Sequence, residues 1–260
     1  MLKQLFLVTG LSLMIISPTL AQQKSGQKQI GITDKAEIEK LMMVLEDIGS
    51  SSKELLREQS LKSYMMPNRK ALERKRSYAY VVASCFEFYV NFNSNFKVNL
   101  SPDFLAIQHG GEYKGLLTGL VQKGTVNAAV FPYGSAYLNE AVQSTQVYQA
   151  ENFLHLFRPD IGARQKIFEL RKALMRGNPV MVEIQVDEAF MNLAHTAQWS
   201  YSGTSKNIQP IIVTGYSEDK KAFEVTTVYG NEWGRDGYAW ITYEDMGKLA
   251  KNAYVLVVQR

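Results

Sequence analysis

Apolar positions recur every three to four residues over 35–48, where Ile38, Leu41, Met42, Leu45 and Ile48 share one helical face. Asp34 precedes them as a cap, Glu37 follows three residues on, and Gly49 supplies a stop. Ser51 with Glu54 repeats the capping signal and predicts a second helix to about Lys62, closed by Pro67. Helical spacing also marks 114–123 and 163–175. The latter sets Ile167, Leu170 and Leu174 on one face before Gly177 and Pro179. Beyond residue 144 the period shortens. β-Branched and aromatic runs at 180–186, 211–213, 223–228, 238–241 and 254–258 predict strands. Asp236-Gly237 suits a tight hairpin turn, because glycine takes positive φ without steric cost. One stretch is ambiguous. Cys85, Phe88, Tyr89, Phe92 and Phe96 fit a helix, while Phe86, Phe88, Val90 and Phe92 fit a strand equally well.

The ends and the bulk composition narrow the setting. Lys3, an apolar stretch over 5–16 and Thr19-Leu20-Ala21 read as a secretory signal over 1–21, cut after Ala21. This predicts a bacterial protein that is secreted or periplasmic, with no stable membrane insertion after cleavage, since no later run approaches about 20 apolar residues. Residues 22–32 are polar and predicted to be disordered. The 260 residues, 46% hydrophobic, suffice for a large core. A net charge of +4 is too mild to indicate a nucleic-acid partner.

Cys85 is the only cysteine, so no intramolecular disulfide forms; it is either a buried apolar group or a thiol kept for reactivity. Residues 69–76 carry five basic side chains, which read as a solvated helix face or linker, or more sharply as a protease-sensitive hinge. The division that follows is 1–21 signal, 22–76 helical pro-like segment with a basic linker, and 77–260 main domain.

Four patches, in order, resemble the papain-like cysteine peptidases. Ser84-Cys85-Phe86-Glu87-Phe88 is similar to that family's Ser-Cys-Trp-Ala-Phe around the nucleophile. Leu100-Ser101-Pro102 follows, then Gly110-Gly111 and Phe131-Pro132-Tyr133, like the family's Gly-Gly pair and Tyr-Pro-Tyr. Last come Gln209-Pro-Ile-Ile-Val-Thr-Gly-Tyr216 and Tyr229-Gly-Asn-Glu-Trp-Gly-Arg-Asp-Gly-Tyr238. These resemble His-Ala-Val-x-x-Val-Gly-Tyr and Trp-Gly-x-x-Trp-Gly-x-x-Gly-Tyr. The resemblance spans about 78–260. It implies an α+β, two-lobed fold, with a helical lobe carrying Cys85 and an antiparallel β lobe carrying Gln209 and Thr227.

It also implies a damaged site. The family's base falls on Gln209, 124 positions beyond Cys85, and its orienting asparagine on Thr227, 142 beyond. The oxyanion glutamine falls on Ala79. A carboxamide does not take up a proton at physiological pH, so Gln209 cannot make the thiolate–imidazolium pair on which thiol hydrolysis depends. Because such groups act as a unit, three replacements predict loss of peptidase activity.

Three histidines remain. His109 precedes Gly110-Gly111, which edge the substrate cleft in the family, and is weighed as a substitute base against a cleft-wall role. His195 reaches inward only by a loop rearrangement, and His155 has an ordinary strand position. Trp233 is read as structural. No metal or other cofactor is expected, because the single cysteine and scattered histidines make no ligand set. The predicted function is a non-peptidase that holds a peptide or protein in the former cleft, where extended binding needs no imidazole. The alternatives are a thiol hydrolase with a rearranged histidine base and a purely structural exported domain.

Overall fold

Residues 77–92 are apolar on nearly every side, which is the pattern of a helix sunk in a core rather than lying on one. The computed structural model describes residues 29–52, 56–92, 94, 96–138, 140–203 and 205–259. The signal expected at 1–21 and the capping residue Glu54 lie outside them. In chain order the elements begin with α1 (Lys35–Leu41), β1 (Glu58–Ser60), α2 (Ser77–Phe92), α3 (Pro102–His109) and α4 (Tyr113–Gln122). Next come β2 (Thr125–Val126), β3 (Val147–Tyr148), β4 (Asn152–Phe157), α5 (Ala163–Met175) and β5 (Val180–Val186). They end with α6 (Glu188–Met191), β6 (Gln198–Trp199), β7 (Asn207–Ser217), β8 (Ala222–Thr226), β9 (Tyr238–Thr242), α7 (Tyr243–Leu249) and β10 (Ala250–Val257).

The main sheet runs β4-β10-β5-β7-β8-β9-β6, with β1 also paired to β7. All pairs are antiparallel except β6 with β9. Long β7 is the hinge of the arrangement: its first half pairs with β5, placing Gln209 opposite Ile184. Its second half pairs with β8 and β1. Asp236 and Gly237 both have positive φ (56° and 81°), and Arg235 pairs with Tyr238 across them, as the hairpin signal required.

Two expectations for the N-terminal region fail. The helix beginning at Asp34, whose carboxylate accepts from the Ala36 and Glu37 amides, ends at Leu41 rather than Ile48. The chain then turns to satisfy the end of α5: the Leu45 and Ser50 amides donate to the Arg176 and Met175 carbonyls, at 3.0 and 2.8 Å. Buried Met42 and Met43 gain the core contact that a straight helix withholds. Within the second predicted helix, residues 58–60 instead form β1 and join the sheet through β7.

The basic stretch is a solvated face only in part: Lys70, Arg74 and Lys75 are exposed, while both ends are bound to the helical region. Arg69 pairs with fully buried Glu87, and Arg76 with fully buried Asp103 at 2.5 Å. Burial pushes the Glu87 carboxyl up, against the pull of Arg69. Asp103 also accepts from the Tyr80 hydroxyl and the Gly134 amide. Residues 69–76 therefore form a strap pinned at both ends onto the helical region. Ala71 ties it to the sheet side, donating to the Val228 carbonyl at 2.8 Å.

Candidate functional site

The strap, the first residue of α2 and two loops of the β region enclose a cleft of about 360 Å³. Lys70, Ala71 and Arg74 line it from the strap, Leu193 and Ala194 from the loop after α6, and Tyr229 and Trp233 from the loop after β8. Ser77 also lines it, 2% exposed, with an Oγ that has no hydrogen-bond partner among the described residues. Lys70 and Arg74 take part in no ion pair among the described residues, whereas Lys75 is held by Glu73.

The far wall is held by a polar knot. Asp187 accepts from the Phe190 amide, Trp199 Nε1, and the Ser202 amide and hydroxyl, at 2.7–3.0 Å. Burial alone raises this carboxyl, but the donors outweigh it and hold the pKa at about 2. Trp233 Nε1 donates to the Phe190 carbonyl at 2.6 Å, and its ring meets Phe190 edge-on. Trp233 is thus structural, as expected, and also walls the cleft.

Gln209 and Thr227 come together beside this cleft through Tyr229. The Tyr229 hydroxyl donates to Gln209 Oε1 at 2.9 Å, and the Tyr229 amide donates to Thr227 Oγ1 at 3.3 Å. Burial raises the Tyr229 pKa, so its proton stays in place at neutral pH. The position expected of a base holds a carboxamide already engaged as an acceptor. No histidine and no cysteine lines the cleft among the described residues.

Cys85 does not belong to this site. It lies eight residues inside α2, fully buried, with its thiol 3.8 Å from the Pro179 carbonyl. Burial drives its pKa far upward, so neither helix dipole nor cleft can favour a thiolate there. Ala79 is likewise buried within α2 at 1% exposure, away from any oxyanion position. The helix-or-strand ambiguity resolves to helix; it arose because a helix buried all round has no polar face to set a period.

The histidines are dispersed. His109 is the last residue of α3 and packs its ring against Gly119, where any Cβ would stand 2.1 Å from the imidazole. Its Nε2 is buried without a partner among the described residues, and burial lowers its pKa. The adjacent Gly110-Gly111 does approach the start of α2: a Cβ on Gly111 would lie 3.7 Å from the Lys75 carbonyl oxygen. His155 is the ordinary strand residue expected, stacked on Tyr254 and bonded to Asn252. His195 is exposed, at φ 58°, in an adjoining depression that shares Glu232 with the cleft.

Ser77 is the residue that sequence reasoning passed over. Its signal was present: Ser77-Tyr78-Ala79-Tyr80 keeps the alanine and both aromatic positions of Cys-Trp-Ala-Phe. Gln209 lies 132 positions beyond it and Thr227 lies 150, a better fit to the usual spacing than the distances from Cys85.

No family model matches the chain, and no curated protein does. Solved structures do. Xylellain, a cysteine protease from Xylella fastidiosa, aligns with a TM-score of 0.68 at 16% identity, over 88% of this chain and 95% of that one. The proform of Amb a 11, a cysteine protease and ragweed pollen allergen, gives 0.67 at 17%, over 81% and 67%. The Carica candamarcensis cysteine protease CMS1MS2, in complex with E-64, gives 0.64 at 16%, over 79% and 100%. Helices beside a large, mostly antiparallel sheet, with these neighbours, establish that the chain has the papain-like cysteine peptidase fold.

Proposed function

We propose that this chain is an exported papain-like protein that binds an extended peptide or protein segment in its cleft without cleaving it. Ser77 takes the nucleophile's place, Gln209 the base's and Thr227 the orienting amide's. Ala71, six positions before Ser77, stands where Ala79 was expected. The observation that carries the reading is the hydrogen bond from the Tyr229 hydroxyl to Gln209. A serine hydroxyl attacks an amide only when a neighbouring base takes its proton, and the carboxamide of Gln209, already accepting from Tyr229, takes up none. Breaking a catalytic unit at one member already removes most of its rate, so the joint replacement leaves only binding. The strap and the Tyr229–Trp233 loop supply backbone and shallow apolar walls, which suffice for an extended ligand.

The thiol-hydrolase alternative loses its nucleophile to the core, since Cys85 is fully buried. A purely structural domain shares that burial, and binding separates the two. Dye-labelled, acetylated hexapeptide libraries should bind saturably, stay intact by mass spectrometry, and bind equally well after Cys85→Ala. Trp233→Ala should weaken them. Cleavage by the wild type, or no saturable binding by any library, would overturn the reading.

A further inference from the structure

Away from the cleft, the outer face of the sheet carries a second cavity of about 580 Å³, within the range that small ligands fill. Side chains alternate along β8 and β9, so Phe223, Val225, Ala239 and Ile241 enter the core. Ala222, Glu224, Tyr238 and Trp240 take the opposite face and line the cavity.

Glu224 is the informative residue. It is only 8% exposed, and its Oε2 accepts from the Ser60 and Thr214 hydroxyls at 2.8 and 3.4 Å. It forms no ion pair among the described residues. A buried carboxylate is costly unless a cation or further donors compensate it, and here neutral hydroxyls alone serve. Gly215 makes the arrangement possible: a Cβ there would meet the Gln59 carbonyl at 2.5 Å and stand 3.3 Å from Glu224 Oε2.

The surroundings specify the ligand. Lys62 lies over the Tyr238 ring at 4.2 Å and Lys220 over Trp240 at 3.9 Å, so the protein's own exposed ammonium groups rest on the aromatic faces. Arg235 and exposed Asp236 line the same cavity. Three cations against two carboxylates leave the lining net positive, which disfavours a ligand of net positive charge. A simple anion would place a second negative charge beside Glu224. A molecule with an ammonium group and a carboxylate satisfies both ends.

We propose that this cavity binds a zwitterionic α-amino acid or short peptide. Its ammonium group engages Glu224 between the Tyr238 and Trp240 rings, and its carboxylate engages Arg235 and the displaced lysines. Trp240 is a ready reporter, because the other two tryptophans are buried, at 2% and 3% exposure. The test is a titration of the full chain with the twenty free L-amino acids and a panel of dipeptides. It is followed by Trp240 fluorescence and calorimetry, with N-acetylated and C-terminally amidated forms as matched arms. At least one free zwitterion should bind. N-acetylation or Glu224→Gln should weaken it by about tenfold or more, and amidation or Arg235→Gln by about threefold or more.

Comparison of free amino acids with dipeptides identifies the source of the ligand. Ser77→Ala should leave the titration unchanged, which separates this cavity from the cleft. The proposal is overturned if nothing binds up to about 10 mM, or if the acetylated forms bind equally well. Unchanged binding in folded Glu224→Gln would do the same. Should that variant not fold, Arg235→Gln at its exposed position decides instead, with unchanged affinity as the contrary result.

Discussion

Ser77 and Cys85 share one helix, yet they occupy opposite environments. Ser77 opens α2 and lines the cleft, with an Oγ that has no partner among the described residues. Cys85 lies roughly 12 Å further along the helix, enclosed by core and facing a backbone carbonyl. The chemically suggestive residue is enclosed by the core and the bland one lines the cleft. The lesson is that where a helix starts decides which side chain meets a cleft, whatever the side chain's own reactivity.

The sharpest way to break this comparison is alkylation. Cys85 in the native protein should react at least about 10³ times more slowly than in the unfolded chain, because only opening of the core exposes it. A rate near that of a free thiol, measured by mass spectrometry across pH 6–9, would place the sulfur outside the core. Next in size is the strap that carries the cleft residues. Arg69→Ala leaves Glu87 buried and unpaired, and should cost about 3–5 kcal/mol in denaturant unfolding.

The cleft's far wall depends on Asp187. Its folded pKa, about 2, lies below the unfolded value, so its contribution is complete above about pH 4 and fades as pH falls toward 2. Asp187→Asn should therefore cost about 2 kcal/mol at pH 7 and flatten stability over that acid window. The smallest effect concerns the glutamine that accepts from Tyr229. Gln209→Ala removes one half-exposed hydrogen bond and should change stability by under about 1 kcal/mol, by the same unfolding measurement.

Much of the β region was legible because its strands announce themselves. Residues 180–186 and 163–175 coincide with β5 and α5, and Asp236-Gly237 turns as its chemistry demands. The family's late motif fixed Gln209 and Thr227 on β7 and just after β8. Residues 58–60 were missed because polar Glu-Gln-Ser carries no strand pattern; the pairing comes from β7, not from propensity. The basic stretch was legible only in part: Lys70, Arg74 and Lys75 are exposed, but the partners of Arg69 and Arg76, Glu87 and Asp103, lie in the helices that follow, invisible to local charge counting. Cys85 and the aromatic residues after it resemble the family's nucleophile patch, but they fall about two turns inside a helix that is buried nearly all round.

The most direct test of the central claim is prolonged incubation of the full chain with quenched peptide-amide libraries, beside Ser77→Ala and Cys85→Ala. The account predicts no turnover by the wild type above the level of either variant. Hydrolysis that vanishes in Ser77→Ala or in Cys85→Ala would contradict it, and the variant that loses activity would name the nucleophile.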